Sequence, residues 1–315
     1  MSALAPRGAT GRPKIGLALG SGGARGWAHI GVLRTLQRAG VRPDIIAGTS
    51  VGALVGGVYA SGHLDTLDSW ARQLTAARLF TYLDPRMSGG GLIGGRRMAT
   101  FMRRYFADSR VEDLPIPFVA VATDLLSGHE MWLREGRVVD VLRTAISLPG
   151  IFTPVRHEGH WLVDGALVNP VPVSVCRALG ARIVIAVNLN ADQLGRARLL
   201  SRTVRRSAGL DPASEMSAAD RLALRGRLGA LWQQGFRHPR GAPSLFGVLV
   251  SAFTITQERM TRSRLAGDPP DLTVTPQLGH VGLLEFERAA EAIAEGEAAT
   301  ERVMPEIRTA LRLLG

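Results

Sequence analysis

The sequence predicts an α/β protein with a parallel-rich central sheet and helices on both faces, in three layers. A short apolar run at 14–19 is followed by a glycine-rich loop and then by a helical pattern that ends near Ala39. A second apolar run, at 44–47, leads into another tight turn and another helix. Short apolar strands that alternate with helices are typical of βαβ units, whose parallel strands are buried on both faces. Further apolar runs at 116–122 and 183–187 supply more strands.

The rest of the chain is predicted from hydrophobic periodicity and from glycine and proline signals. A glycine-rich stretch at 85–95 is interpreted as a connection, with a lid as the alternative. Helices are expected at 27–39, 51–60, 64–79, 96–106, 138–147, 173–179, 245–255 and, interrupted at Pro305, 283–313. Strands are also expected at 129–133, 161–163 and 271–274.

The composition is that of an ordinary soluble protein with ample material for a core. Of 315 residues, 46% are hydrophobic and 21% charged, and the single cysteine, Cys176, excludes an internal disulfide. No run approaches the roughly 20 apolar residues that span a bilayer. We expect a cytoplasmic protein, at most peripheral to the membrane. Its predicted parts are a disordered leader at 1–13, a core at 14–190 and a mostly helical extension, packed on that core, at 191–315.

Residues 48–52 read G-T-S-V-G between the second strand and its helix. A strand, a tight turn and a helix form the setting of a nucleophile elbow, in which a strained central residue stands clear of the sheet. Ser50 is therefore a candidate nucleophile, and Gly48 and Gly52 leave room for strand and helix to cross closely. On this motif alone, Ser50 as a plain helix N-cap is an equal alternative.

The first glycine loop allows two interpretations. Its G-x-G-x-x-x-G spacing departs from the dinucleotide fingerprint, and no acidic residue ends the second strand to bind a ribose, so nucleotide binding is disfavoured. The favoured interpretation is that backbone N–H groups at the start of the helix stabilise an anion formed during a reaction. An oxyanion produced by attack of Ser50 would then lie near Gly22, Gly23 and Ala24, with Arg25 ordering the loop or adding positive potential.

A serine nucleophile needs a proton acceptor. Of seven histidines, His157 and His160 precede a short predicted strand, where a histidine is usually structural or exposed. Asp164 is better placed, because it ends that strand and Gly165 permits a sharp turn after it. A free aspartate has a pKa of about 4, so it can serve as a base only if burial raises that pKa. The sequence therefore predicts a partly desolvated Asp164 close to Ser50.

Three motifs occur in a fixed order: G-G-A-R-G at 22–26, G-T-S-V-G at 48–52 and D-G-A at 164–166. Together they resemble the patatin-like phospholipases, lipid acyl hydrolases with a Ser–Asp dyad. The resemblance covers about 14–190, and the C-terminal part also looks like the bacterial branch of that family. This branch is related to the catalytic domain of the neuropathy-target-esterase type.

The resemblance implies a role for each matching residue. Ser50 would be the nucleophile, Asp164 the base and the loop from Gly22 to Gly26 the oxyanion hole. Family members use no metal and no cofactor for the chemistry. The implied substrate is a lipid or lysophospholipid ester, cleaved through an acyl-enzyme.

Two other functions remain as alternatives. One is an α/β-hydrolase with a Ser-His-Asp triad, although that fold normally has several strands before its elbow and here only one clear strand precedes the strand that leads into Ser50. The other is a basic module that binds anionic membrane through residues 195–240. That segment holds ten arginines against three acidic residues, or +7 of the net +11. Because few aromatic residues accompany them, lipid is favoured over nucleic acid. A solvated helical face is the competing interpretation.

Overall fold

The computed structural model describes residues 12–75, 78–79, 81, 84, 90–106, 108–191 and 245–314. The arginine-rich segment at 195–240 and nearly all of the predicted leader at 1–13 lie outside these residues. In the part of the chain that is described, no helix is both long and apolar enough to cross a bilayer.

The centre of the fold is a mixed sheet of eight strands in the described residues. In spatial order, β10, β9, β1, β2 and β4 run parallel to one another, and β5, β7 and β8 add antiparallel pairs on the β4 side. A separate two-stranded parallel sheet joins β3 to β6. The strands are β1 Ile15–Leu19, β2 Ile45–Thr49, β3 Gly91–Ile93, β4 Phe118–Asp124, β5 Glu130–Leu133, β6 Gly150–Phe152, β7 Val155–His157, β8 His160–Asp164, β9 Ile183–Val187 and β10 Leu272–Val274.

Helices cover both faces of this sheet, which confirms the predicted fold class. They are α1 Ala28–Arg38, α2 Val51–Ala60, α3 Leu64–Arg72, α4 Arg96–Phe106, α5 Val138–Ala145, α6 Val173–Ala178, α7 Leu245–Gly267 and α8 Ala289–Leu314. On one face α1, α2, α5 and α8 form the larger hydrophobic core. On the other, α6 and Leu265 of α7 pack over a smaller core that contains Cys176.

The three central strands of the sheet are parallel to one another and completely buried. Every residue of β1, β2 and β9 is buried, as expected for strands with helices on both sides. In register, Leu17 of β1 lies between Ile46 of β2 and Ile185 of β9. Because these strands are parallel, the loop after β1 and the turn after β2 leave the sheet at the same edge.

The helix α1, which follows the glycine loop, is held by close packing against α8. A Cβ atom on Gly31 of α1 would lie 2.1 Å from the carbonyl oxygen of Ile293, and one on Gly296 of α8 would lie 2.1 Å from that of Ala28. The two backbones therefore approach as closely as glycine alone permits. Further along, α8 continues through Pro305, where the sequence predicted an interruption, and Met304 and Ile307 on either side of the proline are buried in the larger core.

Other predicted boundaries are wrong for local reasons. The helix expected at 64–79 is α3, which ends at Arg72 because its last turn closes with i→i+3 hydrogen bonds from Gln73 and Leu74. The helix expected from residue 283 begins at Ala289, since the Glu285 carboxylate accepts from the Gly282 N–H and holds a turn there. Within the stretch expected to be a loop, β3 forms by pairing with β6.

Candidate active site

Ser50 lies in a strained turn between β2 and α2. Its backbone has φ 57° and ψ −127°, in the region of positive φ that non-glycine residues avoid, at a typical cost of about 1–3 kcal/mol. Its side chain makes no capping hydrogen bond to α2, so the plain N-cap interpretation is wrong. The crossing is tight at both glycines. A Cβ on Gly48 would lie 2.5 Å from the Ala53 Cα, and one on Gly52 would lie 2.2 Å from the Leu19 carbonyl oxygen.

Asp164 ends β8 and meets Ser50 directly. The Ser50 hydroxyl donates to the Asp164 Oδ2 atom at 2.5 Å, and the Ala166 N–H donates to Oδ1 at 2.9 Å. Because Asp164 pairs with Ala122 of β4 in the sheet, its position relative to the turn after β2 is fixed by strand register. Gly165 makes the turn possible, since a Cβ there would lie 2.5 Å from the carbonyl oxygen of Val121.

The Asp164 carboxyl group is fully buried, at 0% exposure. Burial raises its pKa from 3.8 to about 7, while the hydrogen bonds from Ser50 and the Ala166 N–H oppose that rise. The burial is more complete than the partial desolvation expected from the sequence. A carboxylate with a pKa near neutrality is a far better proton acceptor than a solvated one.

The glycine loop lies against the elbow. Residues 23–27 form a 3-10 helix, and a Cβ on Gly26 would lie 2.1 Å from a methyl carbon of Val51, the residue after Ser50. The Ala24 N–H already donates to the Leu283 carbonyl at 2.8 Å, so it is not free for an oxyanion as the sequence suggested. By contrast, no described residue accepts from the N–H groups of Gly22 and Gly23. Arg25 orders the loop, since its Nε donates to the Gly22 carbonyl at 3.0 Å.

His29, which the sequence analysis did not single out, supports the same loop from α1. Its Nε2 lies 2.7 Å from the Gly20 carbonyl oxygen, and the ring is fully buried. Burial lowers the pKa of His29 to about 4, against the effect of the Gly20 hydrogen bond, so the ring is neutral and Nε2 donates. The available signal was weak, because a histidine on the apolar side of a helix is usually a core residue.

A second support, also missed, ties the turn after β8 to the elbow. The Thr49 hydroxyl donates to the Asn169 carbonyl at 2.7 Å, and the Asn169 amide donates to Glu130 at 2.9 Å. Arg264 of α7 then pairs with Glu130 at 3.3 Å and donates to the Val168 carbonyl at 2.8 Å. The network therefore holds Thr49, the residue before Ser50, against the segment that follows Asp164.

The two histidines considered as bases have other partners. His160 pairs through Nδ1 with Asp124 at 2.9 Å, and His157 of β7 lies opposite His160 in the sheet. A third histidine, His280, pairs with Glu291. Among the described residues, no histidine hydrogen-bonds to Ser50 or Asp164. In the same described part, no three His, Cys, Asp or Glu side chains group as metal ligands.

Large apolar side chains are exposed where β4 ends. Leu126 is 82% exposed, and its neighbour Leu125 donates its N–H to the carbonyl of Trp161, which is also exposed. Since β4 is parallel to β2, its carboxyl end lies at the same sheet edge as Ser50. Trp161 is only three residues before Asp164. We call Leu125, Leu126 and Trp161 the apolar rim.

Fold and site together define a class of α/β protein, in which a serine at a strand–turn–helix junction lies at the carboxyl edge of a parallel sheet. The model of the patatin-like phospholipase family matches residues 17–177. The chain therefore belongs to that family, as the three sequence motifs indicated. Membership implies a lipid hydrolase.

Relatives agree with this assignment. An uncharacterized NTE family protein of Mycobacterium bovis is 35% identical over 334 aligned residues, covering 94% of this chain and 92% of its own length. The human patatin-like phospholipase domain-containing protein 6 is 34% identical over 185 residues, which cover 56% of this chain and 13% of the human protein. A Caenorhabditis elegans patatin-like phospholipase domain-containing protein is 37% identical over 187 residues, covering 56% of this chain and 14% of its own.

Proposed function

We propose that this chain is a serine lipid acyl hydrolase that cleaves carboxylic ester bonds of phospholipids or lysophospholipids. The observation that carries the proposal is the 2.5 Å hydrogen bond from the Ser50 hydroxyl to the fully buried Asp164 carboxylate. A nucleophile within hydrogen-bond reach of a base, in a strained elbow, is the arrangement that nucleophilic acyl transfer requires. The proposed dyad needs no metal and no cofactor.

In the acylation step, Ser50 Oγ attacks the ester carbonyl carbon while Asp164 Oδ2 takes the hydroxyl proton. The carbonyl oxygen becomes an oxyanion, and the N–H groups of Gly22 and Gly23 can donate hydrogen bonds to it. When the tetrahedral intermediate collapses, the bond to the alcohol oxygen breaks and Asp164 gives its proton to that oxygen. The products are an acyl-serine and the free alcohol or lysophospholipid.

In the deacylation step, a water molecule takes the place of the alcohol. Asp164 accepts a proton from the water as the water oxygen attacks the acyl carbon, and the same N–H groups donate to the second oxyanion. Collapse then releases the fatty acid, and the proton returns to Ser50. Atoms and charges balance over the cycle, since one water is consumed and Asp164 ends as it began.

The energetics of this mechanism depend on the raised pKa of Asp164. Raising it from 3.8 to about 7 makes the carboxylate a stronger base by about 4 kcal/mol, at about 1.36 kcal/mol for each pKa unit. The oxyanion donors contribute separately, by about 3–4 kcal/mol for each well-placed N–H. Burial of the base and free N–H groups in the glycine loop therefore supply complementary parts of the barrier reduction.

The apolar rim supports a lipid as the substrate. Exposed leucines and a tryptophan at the same edge as Ser50 suit contact with acyl chains and with the membrane interface, where tryptophan is enriched. Attachment to anionic membrane through the arginines of 195–240, in a cytoplasmic setting, belongs to the same proposal and is supported by their charge alone. The Ser-His-Asp triad is disfavoured, because no described histidine hydrogen-bonds to Ser50.

The test is a lipid-panel hydrolysis screen with the Ser50→Ala protein as the blank. The panel contains diacyl phospholipids, lysophospholipids and a short water-soluble ester. We expect wild type to release fatty acid from at least one member and Ser50→Ala to release none above the rate measured without protein. Ser61→Ala is the matched control, because Ser61 lies at the other end of α2 and only caps the Gly57 carbonyl. Full activity in Ser50→Ala would refute the proposal.

A further inference from the structure

A cavity of about 260 Å³ lies between α4 and α5, apart from the reacting atoms. Three arginines line it: Arg96 and Arg103 from α4 and Arg143 from α5. At about 30 Å³ for each water in the liquid, the volume holds a small anion with several waters. It is below the roughly 300–1,000 Å³ of sites that enclose a drug-sized molecule. The cavity therefore fits a charged group and not a whole lipid.

Arg143 is a buried cation whose hydrogen-bond acceptors are all neutral. It is 8% exposed, and it donates to the Ser147 hydroxyl at 2.6 Å, to the Gly94 carbonyl at 2.7 Å and to the Thr153 carbonyl at 3.1 Å. No described carboxylate lies within ion-pair distance of it. Asp84 acts on this charge only from beyond ion-pair distance, and a buried charge without a close ion pair is costly.

The backbone is shaped around this guanidinium. Gly95 has φ 76°, and a Cβ there would lie 2.1 Å from the Arg143 Nε. Any other residue at this position would displace the guanidinium as well as strain the turn. The arginine is thus held at the cavity wall by the fold.

The two arginines of α4 add positive charge that no described residue pairs. Arg96 and Arg103 are exposed, and neither forms an ion pair with a described residue. The N-terminus of α4 is already capped, because Asp84 accepts from the N–H groups of Gly95 and Arg96 at 2.6 and 3.2 Å. Among the described residues, the three arginines that line the cavity and this one carboxylate give an excess of two positive charges. An incoming anion would therefore be bound by guanidinium groups and not by the helix end.

The cavity is connected to the proposed dyad through one residue. The Ser147 hydroxyl accepts from Arg143, and the Ser147 carbonyl accepts from the Asp164 N–H at 3.0 Å. A group bound at Arg143 would thus lie beside the segment that supports the base.

We propose that this arginine cavity is a phosphate-binding site. Guanidinium groups bind phosphate oxygens through paired, charge-assisted hydrogen bonds. Three guanidinium groups can compensate the one or two negative charges of a phosphate group. The phosphate belongs either to the headgroup of a phospholipid whose ester lies at Ser50 or to free inorganic phosphate. The headgroup source rests on the proposed function, whereas binding of the phosphate group does not.

The binding arm of the test uses inorganic phosphate, titrated calorimetrically at constant ionic strength. The variant is Arg96→Gln with Arg103→Gln, since both side chains are exposed and the fold does not depend on them. Arg308→Gln is the matched control, because Arg308 is exposed on α8. We expect the phosphate Kd of the double variant to rise at least about tenfold, with Arg308→Gln like wild type. Absence of phosphate binding in wild type, or equal affinity in all three proteins, overturns the proposal.

The catalytic arm assigns the source of the phosphate. Hydrolysis of monomeric dihexanoyl phosphatidylcholine is compared with that of dihexanoyl glycerol, which lacks the phosphate. If the site binds the headgroup, the ratio of kcat/KM for the phospholipid to kcat/KM for the diacylglycerol falls about tenfold in the double variant. Inorganic phosphate then inhibits hydrolysis of the phospholipid competitively but does not inhibit hydrolysis of the diacylglycerol. For a site that takes free phosphate, the ratio is unchanged while the Kd still rises. If neither ester is hydrolysed, the proposed function fails while the calorimetric result still decides the site.

Discussion

Replacing Asp164 by Asn should remove a pH-dependent destabilisation from the folded protein. Asp164 is completely buried, and its pKa is raised from 3.8 to about 7, chiefly by desolvation. In the unfolded chain the same carboxyl group releases its proton near pH 4. Between these two values the folded state therefore holds a proton that the unfolded state has lost.

The sign of the effect follows directly. Stability falls with rising pH wherever the folded state binds more protons, so this group costs stability from about pH 4 up to about pH 7, and the cost is constant above that. The slope is about 1.36 kcal/mol for each pH unit at most. Between pH 5 and pH 8 the fall covers about two units, or about 3 kcal/mol. An asparagine cannot ionise and lacks this fall, while its amide oxygen can still accept from the Ala166 N–H.

The assay is urea unfolding of wild type and Asp164→Asn at pH 5 and pH 8, with unfolding free energies from linear extrapolation. The stability gained by the variant should be larger at pH 8 than at pH 5 by about 3 kcal/mol. Asp113→Asn is the matched control, because Asp113 is exposed, and its difference from wild type should be the same at both pH values. Parallel behaviour of wild type and Asp164→Asn would refute the argument that burial raises the pKa of this carboxyl group.

The remaining predictions concern the identity of the base and the lipid-facing edge. Wild-type kcat/KM on a soluble ester should rise about tenfold for each pH unit below about 7 and then level off. Single Gln variants of His157, His160 and His280 should keep that profile and at least about a tenth of the rate, and a thousandfold loss in any one would revive a triad. Leu126→Ser should lower the ratio of vesicle to soluble-ester hydrolysis. Leu313 near the end of α8 is similarly exposed, at 78%, and Leu313→Ser should leave that ratio unchanged. Equal effects of the two substitutions would contradict a role of the apolar rim in lipid contact.

The central part of the fold was predictable because its signals are local. The strands β1, β2 and β9 are short apolar runs, and each motif of the site follows one strand directly. Parallel pairing then brings the loop after β1 and the turn at Ser50 to one edge, without further information. The position of Asp164 was predicted from its place at a strand end together with the family resemblance.

What the sequence did not predict depends on contacts between distant residues. The Ala24 N–H donates to the Leu283 carbonyl, and the Thr49 hydroxyl donates to the Asn169 carbonyl. Neither hydrogen bond can be predicted from local sequence spacing, because the partners are far apart in the chain. The passage of α8 through Pro305 accompanies the burial of Met304 and Ile307 in the larger core, and such tertiary packing overrides the local preference for a break. The arginine cavity likewise joins Arg143 to Gly94, 49 residues earlier in the chain.

Labelling with a fluorophosphonate probe tests the central claim most directly, because the probe reacts only with an activated serine. Wild type should take up one probe, mapped to Ser50 by peptide mass spectrometry, and Ser50→Ala should take up none. Asp164→Asn should label at least about a hundredfold more slowly, since its base is gone. Labelling at another serine, or an undiminished rate in Asp164→Asn, would contradict the assignment of Ser50 as nucleophile and Asp164 as base.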